Sequence, residues 1–287
     1  MKTLFNLLRV KQWSKNLLIF AALIFTGNVF NPPLLLKTFL GFLLFCTTAS
    51  GLYILNDLRD RNEDKIHPDK KSRPIASGKI NSVVAMLISG LLLISSLPLS
   101  LLLGMNFFTI LAIYAVMTML YTLKLKHVVI LDVFVLSSGF VLRAASGAYI
   151  INAPISPWFL ICTTLGALFL ALAKRRYEMV SIENASKHRK ILLEYSVPLL
   201  DEMISVVTSS TVVAYSLYAF TSETASKHHY LMLTIPFVLY GIFRYLYLIH
   251  KKNMGGSPEM VLIKDKPLLI NIVLYAAACI LIVYLQK

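Results

Sequence analysis

Asn56-Asp57-Leu58-Arg59-Asp60-Arg61-Asn62-Glu63-Asp64 follows directly on an apolar segment that ends at Leu55. This stretch holds four of the fourteen acidic residues of the chain. Carboxylates at the edge of a bilayer are costly to place, and they are therefore more often functional than incidental. On a helix, Asn56, Asp60 and Asp64 fall at i, i+4 and i+8 and share roughly one face. The spacing predicts a site for one or two hard cations, with open coordination positions for a phosphate-bearing ligand.

The composition is that of a polytopic membrane protein. Of the 287 residues, 57% are hydrophobic and 15% are charged, and the mean hydropathy is +0.71. A soluble protein would carry about 25% charged residues. Cys46, Cys162 and Cys279 lie within apolar runs, so we expect small buried side chains rather than disulfides or a CxxC metal site. His67 and His127 lack the spacing of zinc ligands, and no zinc site is predicted.

The apolar pattern predicts an all-α protein with nine membrane-spanning segments. Several of them approach the 20 or so residues that cross about 30 Å of hydrocarbon. We interpret residues 1–287 as one transmembrane domain. The predicted segments lie near residues 16–31, 34–55, 81–103, 106–121, 128–151, 156–173, 203–221, 229–249 and 267–285.

Positive charge is confined to alternate loops. The net charge is +14, and 23 of the 28 Lys and Arg residues lie in the N-terminus or in loops 56–80, 122–127, 174–202 and 250–266. Under the positive-inside rule this bias predicts a plasma-membrane protein with a cytoplasmic N-terminus and an external C-terminus. Such a distribution argues against nucleic acid as a partner, and it suits anionic lipid or phosphorylated substrates.

Nearly all polar chemistry therefore falls on one membrane face. A transporter is expected to need polar groups along a path through the bilayer, and this chain resembles an enzyme with one active face. A transporter of phosphate compounds or lipids, and a non-catalytic scaffold, remain as alternatives.

Three basic segments are candidates for phosphate binding. Lys70, Lys71 and Arg73 follow the acidic stretch and suit a metal–diphosphate ligand, although a solvated loop of mixed charge would look similar. Lys174-Arg175-Arg176-Tyr177-Glu178 either clamps phosphates, with Glu178 as a metal ligand or orienting partner, or anchors the sixth span. The segment 9–16 carries Lys11, Lys15 and Asn16, which contact either a phosphate or lipid headgroups.

The fifth span contains two ionisable residues, Asp132 and Arg143. On one helix they would lie about 16 Å apart, so we do not expect them to pair with each other. Each is expected to face the bundle interior and to find a partner on another segment.

Asn56-Asp57-x-x-Asp60-x-x-x-Asp64 resembles the NDxxDxxxD signature of the UbiA superfamily of intramembrane prenyltransferases. Within that superfamily, the branch of decaprenyl-phosphate phosphoribosyltransferases is the most similar. The resemblance implies nine transmembrane helices around a central lipid-accessible cavity. It also extends over Tyr121-x-x-Lys124, Arg9-x-Lys11-Gln12-Trp13-x-Lys15-Asn16, His67-Pro68 to Ser77-Gly78, Lys174-Arg175 with Tyr177 and Glu178, Tyr240-Gly241-x-Phe243-Arg244-Tyr245, Gly255-Gly256-Ser257-Pro258-Glu259, and Asp265-Lys266-Pro267-Leu268.

The resemblance implies transfer of 5-phosphoribose from phosphoribosyl pyrophosphate to a polyprenyl phosphate, for cell-envelope glycan precursors. Mg²⁺ would be bound by Asn56 and Asp60, joined by Asp57 and Asp64, and Asp57 and Asp60 are the catalytic candidates. The remaining candidates bind substrate: Lys11, Lys15, Asn16, Lys70, Arg73, Tyr121, Lys124, Arg143, Lys174, Arg175 and Glu178.

The resemblance leaves two matters open. Aromatic prenyltransferases of the superfamily usually carry a second aspartate-rich motif after the sixth span, where this chain has Lys174-Arg175-Arg176-Tyr177-Glu178. This departure favours cations that bind additional phosphates. The alternative function is transfer of an isoprenoid from its diphosphate to an aromatic or other small acceptor. The oligomeric state is also open, a homo-oligomer included.

Overall fold

A computed structural model describes residues 2–66, 70–181, 190–256, 261 and 264–285. All regular structure in these ranges is helical, as the sequence predicts. The α-helices, numbered in chain order, are α1 (Lys2–Leu7), α2 (Ala21–Phe25), α3 (Pro32–Arg59), α4 (Arg61–Ile66), α5 (Ser82–Ser100), α6 (Met105–Leu123), α7 (Leu131–Ile150), α8 (Pro157–Ser181), α9 (Val197–Thr221), α10 (Glu223–Lys227), α11 (Ile235–Lys252) and α12 (Lys266–Leu285). Short 3₁₀ helices span Val10–Phe20, Leu101–Leu103, Leu125–His127, Lys190–Glu194 and His229–Thr234.

Eight helices of the described chain are long and apolar enough to cross a membrane. They are α3, α5 with its 3₁₀ extension, α6, α7, α8, α9, α11 with the preceding 3₁₀ turn, and α12. These helices match the last eight predicted spans, with boundaries shifted by a few residues. These helices carry large apolar side chains that face outward, such as Leu91, Ile94 and Leu102 at 70%, 75% and 82% exposure. Outward apolar surface of this kind is what a bilayer requires.

The first predicted span, at 16–31, has a different structure. It is replaced by an N-terminal segment (residues 10–25) made of an 11-residue 3₁₀ helix followed by the five residues of α2. Because a 3₁₀ helix rises about 2.0 Å per residue and an α-helix about 1.5 Å, this segment covers about 30 Å. It is therefore long enough to cross the hydrocarbon layer without forming a long α-helix.

The N-terminal segment packs closely against α7. A Cβ atom added at Gly147 of α7 would lie 2.0 Å from the backbone oxygen of Ile19. Ile19 itself is fully buried in a cluster with Phe45, Leu111 and Ile150. The absence of a side chain at Gly147 thus allows the two backbones to touch.

Gly147→Ala is expected to destabilise the protein by about 1–3 kcal/mol, because backbone atoms cannot move aside as a flexible side chain can. The measurement is the thermal unfolding midpoint of the purified protein in detergent. Gly166→Ala in α8 is the matched control, since a Cβ at Gly166 meets nothing within 4 Å. Equal midpoints for the two variants would show that the close approach does not exist.

Because successive long helices run in opposite directions, alternate loops, which are the polar ones, lie at one end of the bundle. The ends of α3, α6 and α8 and the starts of α5, α7 and α9 lie there, and we call this the polar end. A hydrogen bond from Arg59 Nη2 to the backbone oxygen of Leu123, at 3.1 Å, joins the ends of α3 and α6 directly. The polar end therefore collects the acidic stretch and most of the basic loops that the sequence singles out.

Candidate active site

The acidic stretch forms an almost unbroken helical path from α3 into α4. The N–H of Asp60 donates to the Asn56 oxygen at 2.9 Å, and the N–H of Asp64 donates to the Asp60 oxygen at 2.8 Å. The i to i+4 pattern of an α-helix thus continues across the junction. It brings Asn56, Asp57, Asp60 and Asp64 together, where their side chains form two separate pairs.

Asp57 and Asp64 form the first pair, joined by arginine. Arg73 Nη1 donates to Asp57 Oδ1 at 2.9 Å and to Asp64 Oδ2 at 2.6 Å. Arg9 Nε donates to Asp57 Oδ2 at 3.1 Å, and its Nη2 contacts the other oxygen of the same carboxylate. Both aspartates are 3% exposed. Burial raises the pKa of Asp64, and the nearby Arg73 guanidinium opposes that shift.

Asn56 and Asp60 form the second pair, which faces the end of α6. Asn56 Nδ2 donates to Asp60 Oδ2 at 3.1 Å, and Thr122 Oγ1 donates to Asn56 Oδ1 at 3.4 Å. The ammonium of Lys126, in the 3₁₀ turn after α6, forms an ion pair with Asp60 Oδ1. The Asp60 side chain keeps 19% of its surface exposed, so a ligand at the polar end can reach it.

The second pair has the donor chemistry of a magnesium site. Mg²⁺ binds proteins through one or two carboxylates, keeps several waters and takes its other ligands from substrate phosphates. Asp60 supplies a carboxylate and Asn56 an amide oxygen, so the residues fit a metal shared with a phosphate ligand. In the described chain, no three His, Cys, Asp or Glu side chains are arranged to hold a metal alone. Asp57 and Asp64, the other two predicted metal ligands, are paired with Arg9 and Arg73.

Several predicted phosphate ligands also lie at or near the polar end. Lys11 and Lys124 are exposed there. Those that are half-buried are Lys15, Lys70, Arg73, Tyr121 and Lys174. His67 and Pro68, and Ser257 to Glu259 of the similar segments, lie outside the described residues.

Sequence reasoning missed three residues that contact the acidic stretch: Arg9, Thr122 and Lys126. The motif Tyr121-x-x-Lys124 directed attention to Lys124, whose side chain is exposed. Lys126 lies two residues further along a basic loop, and its side chain is 10% exposed. Both lysines lie in one short basic loop, so the sequence offers no signal that distinguishes Lys126 from Lys124.

Arg175 does not have the open position expected of a phosphate ligand. It is 1% exposed, its Nε donates to Asp132 Oδ2 at 2.7 Å, and its Nη1 donates to Glu178 Oε2 at 2.6 Å. The hydroxyl of Tyr195 donates to the other Asp132 oxygen at 2.8 Å. Arg176 Nε donates to Asp201 Oδ1 at 2.5 Å. Two cations of the basic triplet, and Glu178 as well, are thus engaged in ion pairs inside the protein, so of the two alternatives for this segment the structure favours a structural role over a phosphate clamp.

Arg143 and Asn16, also predicted to bind substrate, bind each other deep in the bundle. Arg143 Nε donates to Asn16 Oδ1 at 2.6 Å, Nη1 to the Gly139 oxygen at 2.7 Å and Nη2 to Tyr114 Oη at 2.8 Å. Its guanidinium also lies 4.7–5.6 Å from the ring centroids of Tyr114, Phe45 and Phe140. The prediction that Asp132 and Arg143 have separate partners is confirmed, and Arg143 joins α7 to α6 and the N-terminal segment.

Near the C-terminus, an ion pair between Arg244 and Asp265 joins two of the segments that carry the family resemblance. Arg244 of α11 donates from Nε and Nη2 to the two Asp265 oxygens, at 3.1 and 2.9 Å. Asp265 Oδ1 also accepts from the N–H of Leu268, which stabilises the start of α12. The hydrogen bonds from Arg244 hold the pKa of the Asp265 carboxyl below its usual range. This bidentate pair ties α11 to α12 and maintains the fold.

Known proteins share both the sequence and the fold of this chain. The model of the UbiA prenyltransferase family matches residues 17–262. The decaprenyl-phosphate phosphoribosyltransferase of Mycolicibacterium smegmatis is 34% identical over 279 residues, which cover 92% of this chain and 87% of the relative. That of Corynebacterium glutamicum is 31% identical over 287 residues, which cover 97% and 86%.

The solved structure of a UbiA homologue from Archaeoglobus fulgidus, bound to GPP and Mg²⁺, has the same fold. Its TM-score is 0.75 at 17% identity, over 98% of this chain and 99% of that chain. The family match covers the acidic stretch, α3 to α11 and most of the polar end. The chain therefore belongs to the UbiA prenyltransferase family.

Proposed function

We propose that this protein transfers 5-phosphoribose from phosphoribosyl pyrophosphate to a polyprenyl phosphate, giving polyprenyl-phosphoryl ribose 5-phosphate and pyrophosphate. The observation that carries the proposal is the interleaving of Asp57, Asp60 and Asp64 with Arg9, Arg73 and Lys126 at the polar end. Carboxylates for a metal, with cations beside them, are what a metal–diphosphate ligand needs. Relatives named for this reaction, at 31–34% identity, support the same substrate pair.

Asn56 and Asp60 are the residues that would hold Mg²⁺. When bound, the metal supplies electrostatic stabilisation of the leaving diphosphate. Lys126 pairs with Asp60, and Arg73 pairs with Asp57 and Asp64 of the same acidic stretch, so their charges are placed to bind diphosphate oxygens. Asp57 orients Arg9 and Arg73 through its hydrogen bonds.

In the reaction, the bond between ribose C1 and the diphosphate breaks, and a bond from C1 to a lipid phosphate oxygen forms. That oxygen is already anionic, so the chain needs no strong general base. Phosphate ligands at the polar end are drawn from Lys11, Lys15, Lys70, Tyr121, Lys124 and Lys174. We assign Asn16, Arg143, Arg175 and Glu178 to the fold, because their polar groups are bound inside the protein.

The proposed orientation places the polar end in the cytoplasm and the C-terminus outside the plasma membrane. The charge of the loops supports it, since cytoplasmic loops are enriched in Lys and Arg. Water-soluble phosphoribosyl pyrophosphate would then reach the site directly. The prenyl chain would remain along the apolar helices, in a bilayer-like environment.

A second candidate function is transfer of an isoprenoid from its diphosphate to an aromatic or other small acceptor. The fold neighbour from Archaeoglobus fulgidus was solved with GPP, which favours this alternative. In that reaction the acidic stretch would bind a lipid diphosphate instead of a sugar diphosphate.

Purified protein with radiolabelled phosphoribosyl pyrophosphate, undecaprenyl phosphate and Mg²⁺ separates the two functions. We expect label to enter the organic phase, and a chelator to prevent it. A parallel reaction contains prenyl diphosphate and an aromatic acid, and we expect no consumption of either. Consumption in the parallel reaction, without lipid-soluble label in the first, would contradict the proposal.

A further inference from the structure

The connection between α6 and α7 contains a strained turn at Ile130. Its φ and ψ are 68° and −46°, and the N–H of Leu131 donates to the Val129 oxygen at 2.8 Å across it. This is the geometry of a classic γ-turn, which is rare and strained. Positive φ is an outlier for a β-branched residue. Such a conformation persists only where the surrounding structure fixes it.

The residue that fixes Ile130 is Tyr195, which follows the 3₁₀ helix Lys190–Glu194. Its hydroxyl accepts the Ile130 N–H at 2.8 Å and donates to Asp132 Oδ1 at 2.8 Å. Arg175 holds the other oxygen of Asp132. Tyr195 is 5% exposed. Burial, with the hydrogen bond to Asp132, raises the pKa of Tyr195 to about 12, so the phenol keeps its proton at neutral pH.

The strained turn lies four residues after Lys126, whose ammonium pairs with Asp60. Along this connection, the N–H of Val128 donates to the Leu125 oxygen at 3.2 Å, and the N–H of Asp132 donates to the Val128 oxygen at 3.1 Å. These short-range bonds leave little freedom along the connection. The turn at Ile130 is therefore coupled through this connection to the 3₁₀ helix that carries Lys126.

We infer that Tyr195 is a positioning residue for the proposed phosphoribosyl transfer: its hydroxyl holds the turn at Ile130 and thereby keeps the Lys126 ammonium on Asp60. The kinetic consequence rests on the proposed function, whereas the placement of Lys126 does not. Tyr195 acts through the turn and makes no contact with the acidic stretch among the bonds that its hydroxyl forms.

Tyr195→Phe tests the inference, because it removes the hydroxyl and retains the buried ring. The first readout is acylation of lysines in the folded protein, followed by mass spectrometry. We expect labelling of Lys126 to rise severalfold and that of exposed Lys124 to stay unchanged. The second readout is steady-state kinetics, where kcat should fall about 10- to 100-fold with little change in the donor KM.

Ile130→Gly distinguishes this role from simple support of the core. Glycine adopts positive φ without strain, so it should keep the turn without help from Tyr195. In the Tyr195→Phe background, Ile130→Gly is expected to restore Lys126 protection and most of kcat. A Tyr195→Phe variant that matches the wild type in Lys126 labelling and kcat would overturn the inference. So would a defect that Ile130→Gly fails to rescue.

Ile130→Pro keeps the test valid should Tyr195→Phe not fold. Proline fixes φ near about −65° and has no N–H, and Ile130 is 44% exposed, so the core is spared. We expect the same rise in Lys126 labelling, and unchanged labelling would overturn the inference. If the wild type shows no phosphoribosyl transfer, the proposed function fails, while the labelling result still decides the placement of Lys126.

Discussion

Asp60→Asn is expected to lower the kcat of phosphoribosyl transfer by about 100- to 1,000-fold. Asparagine keeps the size of the side chain and its contact with Asn56, but it lacks the charge that attracts Mg²⁺ and pairs with Lys126. The defect should therefore be electrostatic, and the half-saturating Mg²⁺ concentration should rise as well. Initial rates across a Mg²⁺ titration, with both substrates saturating, measure the two effects together.

Glu63→Gln is the matched control for Asp60→Asn. Glu63 belongs to the same acidic stretch and loses the same charge, but its side chain is exposed on α4. We expect its kcat and Mg²⁺ dependence to stay close to those of the wild type. An Asp60→Asn protein with normal turnover would contradict the role of Asp60 and would favour a non-catalytic scaffold.

Arg175→Met is expected to destabilise the protein by about 3–5 kcal/mol, because it removes the cation that balances a buried carboxylate. Asp132 is 0% exposed and Glu178 loses its cation at the same time. The measurement is the thermal unfolding midpoint in detergent, compared with the wild type. A phosphate ligand would behave differently, since its removal would raise the donor KM and leave the midpoint unchanged.

Arg176→Met, at the neighbouring position, provides the control. Its partner Asp201 has 35% of its side chain exposed, so the pair is partly screened by solvent. Pairs of this kind contribute about 0–1 kcal/mol. Equal losses for Arg175→Met and Arg176→Met would contradict the buried network around Asp132.

Long apolar runs made most of the fold predictable. A helix that faces lipid needs about 20 apolar residues, and that signal is visible in α3, α5 to α9, α11 and α12 without any tertiary information. The apolar residues of the N-terminal segment are visible as well, since a span is predicted at 16–31, but the 3₁₀ conformation of that segment is not. Its conformation depends on contact with Gly147, which no local pattern can indicate.

The candidate site was predictable where function and local spacing coincide. Asn56, Asp57, Asp60 and Asp64 stand at helical spacing, so their proximity follows from the sequence. Arg175 could not be assigned in this way, since Asp132 comes from a position 43 residues earlier in the chain. A cation at a membrane edge looks the same in sequence whether it binds a ligand or a buried acid.

The direction of group transfer is tested most directly with phosphoribosyl pyrophosphate labelled separately in the ribose and in the terminal phosphate. Incubation with undecaprenyl phosphate, Mg²⁺ and the purified protein should move the ribose label into the organic phase. The terminal phosphate label should remain in water as pyrophosphate. Asp60→Asn should slow both the transfer of the ribose label and the release of labelled pyrophosphate. Phosphoribosyl transfer would be contradicted if both labels stayed in intact donor while prenyl diphosphate, supplied with an aromatic acid, was consumed.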